Sequence, residues 1–344
     1  MAIKRYEATK DTTITNAFKQ DLVTRGTGSN TGQSDILEVF SIYAQATSGS
    51  SELSRVLIQF PISGSSTGEI KQDRDDGNIP ASGSVNFYLR LYNAKHSQTL
   101  PIEPTFNVLA VSQSWSEGYG LGLEEYKDHG ASNWIKRTDD DSWGSIGGDY
   151  HTSSYNPGVT LPGYTVTLAK GQDDLFLDIT SLVEEWIDGR ATSGRQNYGL
   201  GIYLTSTQEA YFSSSTGLNS AEESGSEVHN TDGVTRSYYT KKFFARGTEF
   251  FVKKPTIEAR WDSSLPDDRG NFYYSSSLAP AEDNLNTLVL YNRVRGQLKN
   301  IPRIGTGEIF VNLYSGSGNN SEPSTQKLVP SSGSYVQQYG SYIT

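Results

Sequence analysis

Three tryptophans carried on long Gly- and Ser-punctuated segments, Trp115, Trp134 and Trp143, are the first residues whose type suggests chemistry. An indole face suits the C–H surface of a sugar ring, and an indole can equally anchor a loop against the edge of a fold. Arg55 stands inside the apolar run Ser54-Arg-Val-Leu-Ile-Gln-Phe60, where alternation puts it on the face opposite Val56 and Ile58. A guanidinium in that position can fork the carboxylate of an acidic sugar, or form a structural pair with Asp178 or Glu185.

The remaining titratable residues carry weaker patterns. Asp73, Asp75 and Asp76, and then Asp139, Asp140 and Asp141, have the oxygen density that calcium uses in loops. Neither cluster has the spaced Asp-x-Asp-x-Asp-Gly frame, so solvated loop charge accounts for them and a structural calcium ion has no specific support. His96, His129, His151 and His229 are scattered without His-x-x-x-His spacing, and no zinc site is expected. Gly118-Tyr-Gly-Leu-Gly122 and Gly144-Ser-Ile-Gly-Gly148 lack the strand-to-helix context of a phosphate loop. Glu117, Glu124 and Glu125 have acid–base chemistry, but no spacing pairs them. No catalytic, cofactor-binding or metal-ligating residue is assigned, and the chain is expected to be non-enzymatic.

Composition narrows the classes further. A formal charge of −10 disfavours phosphate-backbone binding, so no nucleic-acid partner is expected. The absence of cysteine removes disulfides, thiolate catalysis and cysteine-ligated metals together. Met1 leads directly into Ala-Ile-Lys-Arg-Tyr, and no run approaches eighteen apolar residues. The expectation is therefore no secretory signal, no membrane insertion, and synthesis in a cytosol.

The elements that must position these residues are almost all strands. Val85, Phe87, Leu89 and Leu91 share one face of residues 84–92, and Asn86, Tyr88 and Arg90 share the other. Runs at 35–40, 54–60, 106–111, 164–168, 175–178, 199–204, 241–245 and 255–261 read the same way. One short helix stands among them. Thr180 occupies its N-cap, Leu182, Val183, Trp186 and Ile187 make its apolar stripe, Ile179 staples it, and Gly189 stops it. A helix so short needs a sheet to lie against. The expected fold is mostly β: a jelly-roll-like antiparallel β-sandwich with one short helix over residues 1–262. Residues 263–344 are expected to form a linker plus a small β-rich attachment or assembly unit, with runs at 287–291 and 307–314. The alternation at 333–344 has no partner in the sequence, so that unit is expected to be incomplete or finished by another chain.

Six landmarks in order resemble a known family. They are Lys10-Asp11-Thr-Thr-Ile14, Ser54–Phe60, Leu89-Arg-Leu-Tyr92 and Trp115-Ser-Glu-Gly118. Asp178-Ile-Thr180 with Trp186 and Asn197-Tyr-Gly-Leu200 follow, then Phe244-Ala-Arg246 with Pro255-Thr-Ile257. Residues 8–261 thereby resemble the DNRLRE-type β-sandwich, related to alginate-binding carbohydrate modules. The resemblance implies that Asp178, Thr180, Trp186, Asn197 and Tyr198 mark the fold and that Trp115 and Trp186 are core positions. Trp134, Trp143 and Arg55 are then left as the glycan-contacting candidates. Arg269-Gly-Asn-Phe-Tyr-Tyr274 and residues 285–293 resemble virion structural proteins of contractile-tailed marine phages. That likeness implies a head, neck or tail decoration or fibre component at the virion surface, assembled in the host cytoplasm. Its partners would be other virion proteins, further copies of itself as a homo-oligomer, and host-cell polysaccharide. A carbohydrate-binding module for an anionic polysaccharide, carried by a bacterial surface protein, stays open as the alternative.

Overall fold

The alternation of residues 85–91 is realised in the computed structural model, with Val85, Phe87, Leu89 and Leu91 buried, Asn86 exposed and Tyr88 and Arg90 half-buried. The structure describes residues 2–64, 66–122, 131–152, 161–188, 196–213 and 227–264. Beyond these it describes 289, 291–294, 297–298, 313–314, 321–322 and 327–328. The chain divides into a large unit, Lys4–Trp261, and a small one comprising Met1–Ile3 and Asp262–Thr344.

The large unit is built from strands β1 (Ala2–Glu7, from Lys4 onward), β2 (Lys10–Thr15), β3 (Ile36–Tyr43), β4 (Ser51–Gln59), β5 (Val85–Leu91) and β6 (Thr105–Ala110). Strands β7 (Tyr164–Thr167), β8 (Leu175–Asp178), β9 (Leu200–Leu204), β10 (Tyr238–Phe244) and β11 (Thr256–Trp261) complete it. They form two antiparallel sheets. One has the order β1-β11-β5-β8; the other runs β10-β3-β4-β9-β6-β7 with β2 also paired to β4, and curls into half a barrel.

Between the sheets lies the main core, where Phe87, Leu89 and Ile257 face Val56, Ile58, Phe106, Ile202 and Phe243. Each such side chain contributes roughly 1.5–3 kcal/mol by leaving water. A second core lies on the opposite face of β4, where Ile14, Leu53 and Leu57 meet Trp115, Trp134, Ile135, Trp143 and Tyr150. Strand β4 is therefore buried on both faces, and Val56-Leu57-Ile58 supplies apolar side chains to each in turn.

Two short α-helices are present among the described residues, where the sequence suggests one. The anticipated helix is α2, Thr180–Ile187, with Leu182, Val183, Trp186 and Ile187 in the core and Ile179 fully buried before it. Its start differs from expectation. Ile179 is the N-cap, and Thr180 is the first helical residue. The Thr180 hydroxyl and amide both donate to Asp178 Oδ1, at 2.6 and 2.9 Å, while its Oγ1 accepts the Phe87 amide at 2.8 Å. The hydroxyl thus extends the β5–β8 seam instead of capping the helix. Gly189, the expected stop, lies outside the described residues.

The other helix, α1 (Ile70–Asp75), carries no apolar periodicity beyond buried Ile70. Tertiary bonds hold it: Asp73 takes Lys4 and Tyr6, each at 2.7 Å, and Arg74 forks Glu184 of α2 at 2.6 and 2.7 Å. In the small unit, the described strands are two antiparallel pairs. Arg293–Val294 (β12) joins Gln297–Leu298 (β13), and Leu313–Tyr314 (β14) joins Lys327–Leu328 (β15). The run at 333–344 and most of those at 287–291 and 307–314 lie outside the described residues.

Candidate functional site

Trp134 and Trp143, the expected glycan-stacking residues, are interior. Trp134 is 0% exposed and Trp143 6%, and the Trp143 Nε1 donates to Asn133 O at 2.9 Å. The segment carrying them folds over the outer face of the curled sheet and inserts both rings into the second core. This corrects the sequence-based assignment: neither indole offers a face to solvent. Long segments with widely spaced aromatic residues read as loops with exposed rings, because the hydrophobic face that receives those rings belongs to distant strands.

Arg55 does lie opposite Val56 and Ile58, but that face is also closed. Its Nε and Nη2 donate to Glu209 at 3.1–3.2 Å, Nη1 donates to Gly147 O at 3.1 Å, and the Tyr203 ring lies 4.6 Å from the guanidinium carbon. Burial opposes the charge, but Glu209 beside it holds the guanidinium more firmly protonated than in water. Its partner is Glu209, not Asp178 or Glu185, so a sugar carboxylate has no vacant fork to enter. No spacing signal in the sequence marks Glu209.

Several of the landmark segments are instead hydrogen-bonded to one another. The Asp11 amide donates to Glu117 Oε1 at 2.8 Å, the Arg246 amide donates to Asp11 Oδ2, and Arg246 Nη2 donates to Glu117 Oε2 at 2.7 Å. Trp115 Nε1 donates to Tyr198 O at 2.8 Å, and Asn197 Nδ2 donates to Phe60 O at 2.9 Å. Gly199 has φ +94, and a Cβ there would stand 2.3 Å from Ile58 O, so the Asn197–Leu200 segment needs glycine at that place. Burial, with a contribution from Glu117, pushes the Asp11 carboxyl up to about 7. Asp11 is 1% exposed, and Glu117 is half-buried beside it. Glu124 and Glu125 lie outside the described residues.

The suspected ion sites resolve differently. Asp73 and Asp75 are on α1 and Asp76 caps its C-terminus, so the first acidic cluster is a helix, not a calcium loop. Asp141 pairs with Arg137 at 2.7 Å, and Asp139 O accepts Lys136 at 2.8 Å. Among the described residues no three His, Cys, Asp or Glu side chains are grouped to hold a metal ion. Burial lowers the His96 and His151 pKa values, and His129 lies outside the described residues. Among the described residues no helix is long and apolar enough to cross a membrane.

The surface with the chemistry expected of the tryptophans is the outer face of the four-stranded sheet. Pairing of β5 with β8 and β11 sets Tyr88, Arg90, Phe176, Glu258 and Arg260 on that side. Tyr88 and Phe176 stack with ring centroids 4.9 Å apart and planes 5° apart, and Phe176 is 44% exposed. The Arg260 guanidinium carbon lies 4.8 Å from the Phe176 centroid and 5.2 Å from that of Tyr88. Arg90 lies 5.8 Å from Phe176 and 4.8 Å from Tyr92.

Glu258, fully buried beneath them, accepts from Arg5 Nε at 2.8 Å and Arg260 Nε at 3.0 Å, with Arg90 at 3.6 Å. Burial works against its charge, but hydrogen bonds from Arg260 and Arg5 prevail and hold its carboxyl below the usual range. Three guanidiniums around one carboxylate leave positive charge beside a stacked aromatic pair. The outward set Asn86, Tyr88, Arg90 is legible in the alternation of β5, whereas its junction with Phe176 and Arg260 depends on strand order. No protein-family model and no curated protein matches the chain.

Proposed function

We propose that this chain is a non-enzymatic structural protein of a virion surface, built on a jelly-roll-like sandwich of the DNRLRE type. In this reading the small C-terminal β unit attaches it to neighbouring virion proteins or to further copies of itself. The outer face of the β1-β11-β5-β8 sheet contacts anionic polysaccharide on the host. The Tyr88–Phe176 stack flanked by Arg90 and Arg260 carries the reading. Aromatic faces suit sugar C–H surfaces, and guanidiniums suit the carboxylates or sulfates of an acidic glycan.

The placement of buried charges also supports a scaffold over a catalyst. Arg55 with Glu209, and Glu258 with its arginines, spend their hydrogen bonds inside the protein. A sugar-binding module on a bacterial surface protein would use the same sheet face, and only the carrier distinguishes the two readings. The glycan test is retention on immobilised polyuronate at low and high salt, expected for the unmutated protein and reduced at least tenfold by Phe176→Ala or Arg90→Ala. Failure to bind any host or acidic polysaccharide would end the glycan reading. Mass spectrometry of purified particles tests the carrier: a fixed symmetric copy number is expected, and absence from particles refutes it.

A further inference from the structure

Lys241 is the fully buried cation that neither the scaffold nor the sheet face explains. It sits on β10, at the edge of the curled sheet, with 0% exposure. Its Nζ donates to Asn93 Oδ1 at 2.7 Å, Gly171 O at 2.8 Å and Asp173 O at 2.6 Å. Asn93 follows β5 of the other sheet and bridges Phe243 antiparallel, so Lys241 and Asn93 are diagonal neighbours on one face. The contact therefore spans the two sheets at the corner where they join.

We propose that Lys241 and Asn93 form an intramolecular isopeptide bond, with Asp174 as the proton relay. The reaction needs only groups already present. The neutral ε-amine attacks the Asn93 carboxamide carbon, a bond forms between Lys241 Nζ and Asn93 Cγ, and the Cγ–Nδ2 bond breaks. The proton released by the attacking nitrogen passes through the Asp174 carboxyl to the departing nitrogen, which leaves as ammonia. No oxidant, cofactor or second substrate is consumed.

Three features of the site fit this step. Two main-chain carbonyls and the Asn93 oxygen hold the ammonium beside the carboxamide; the step requires loss of one proton and a carboxamide rotation that brings Cγ within the roughly 3–3.5 Å of a near-attack geometry. Burial lowers the Lys241 pKa to about 8, which supplies neutral amine near physiological pH. Asp174 Oδ1 accepts the Asn93 main-chain N–H at 2.8 Å, and its charge acts on Lys241, so its carboxylate lies beside both reacting residues. A cleft of about 560 Å³ lined by Asn93, His96, Gln172 and Asp173 gives ammonia a way out. A chain without cysteine would gain from this bond the cross-link that a disulfide cannot provide.

Intact mass spectrometry of the folded full-length protein tests the proposal directly. The expected mass is lower than the sequence mass by about 17 Da, the loss of one ammonia. Proteolysis should yield a branched peptide joining Lys241 to Asn93. Lys241→Met and Asn93→Ala should each restore the sequence mass and lower the melting temperature, and Asp174→Ala should leave a large unlinked fraction. Folded, unmutated protein at the full sequence mass would overturn the proposal, with no variant needed to decide it. Complete linkage in Asp174→Ala would overturn the relay assigned to that residue.

Discussion

Glu209 closes both carboxylate oxygens on the guanidinium of Arg55 from 154 residues away, and the pair is buried between the curled sheet and the segments that cover it. Arg55 also holds Gly147 O, so one side chain of β4 secures two segments to the sheet. Removing either partner leaves the other charge buried and unpaired. Arg55→Met or Glu209→Gln is therefore expected to destabilise folding by about 3–5 kcal/mol. The double variant Arg55→Met/Glu209→Met should recover part of that loss, as read from urea denaturation. A loss in the double variant equal to the sum of the two single losses would show that the pair is not coupled.

Trp134 gives a prediction opposite to that of a surface sugar platform. Its ring fills the second core at 0% exposure, and Trp134→Ala should cost about 3–5 kcal/mol through the cavity it opens. Chemical denaturation measures this. A variant with unchanged stability that no longer binds glycan would return Trp134 to the surface role.

Phe176 should behave in the reverse manner. It is 44% exposed on the edge strand β8, and its ring stacks on Tyr88 without entering the core between the sheets. Phe176→Ala is expected to shift stability by less than about 1 kcal/mol while weakening polyuronate retention at least tenfold. Salt should weaken the unmutated protein's retention, because the guanidiniums supply the charge. Salt-independent retention would exclude them from the contact.

Asp11 predicts a pH dependence whose sign follows from its burial. Its folded pKa is about 7, against an ordinary 3.8, so the folded state binds the proton more tightly than the unfolded state. The resulting stabilisation is fully present below the ordinary value and is lost as pH rises through 7. Its size is at most about 4 kcal/mol across that window. Glu258 and Asp73 act with the opposite sign, since their carboxyls are held low and their contributions fade as the pH falls. The comparison of Asp11→Asn with the unmutated protein isolates the Asp11 share. The stability difference between the two should change between pH 5 and pH 8, and a constant difference would refute the assignment.

Much of the architecture was legible in local pattern. Alternation located the strands from β3 through β11, because a half-buried strand repeats every two residues whatever its partner. The apolar stripe Leu182, Val183, Trp186, Ile187 located α2 for the analogous reason at helical spacing. β1, β2 and α1 were missed. None of the three carries enough periodic apolar residues, and α1 is held by Lys4, Tyr6 and Glu184, which lie far away in sequence.

The sequence by itself determined where the chain is extended, where it turns into α2, and which side of each strand is apolar. It also determined that no thiol chemistry exists. Only the tertiary structure decided which polar and aromatic groups are shielded. Trp134 and Trp143 entered a core because β2 and β4 present Ile14, Leu53 and Leu57 to them. Arg55 found Glu209, Asp11 found Glu117 and Arg246, and Lys241 reached Asn93 across two sheets. The physical reason is that burial and pairing depend on strand order and on the segments crossing a sheet. Those are long-range relationships, and a local pattern carries no record of them.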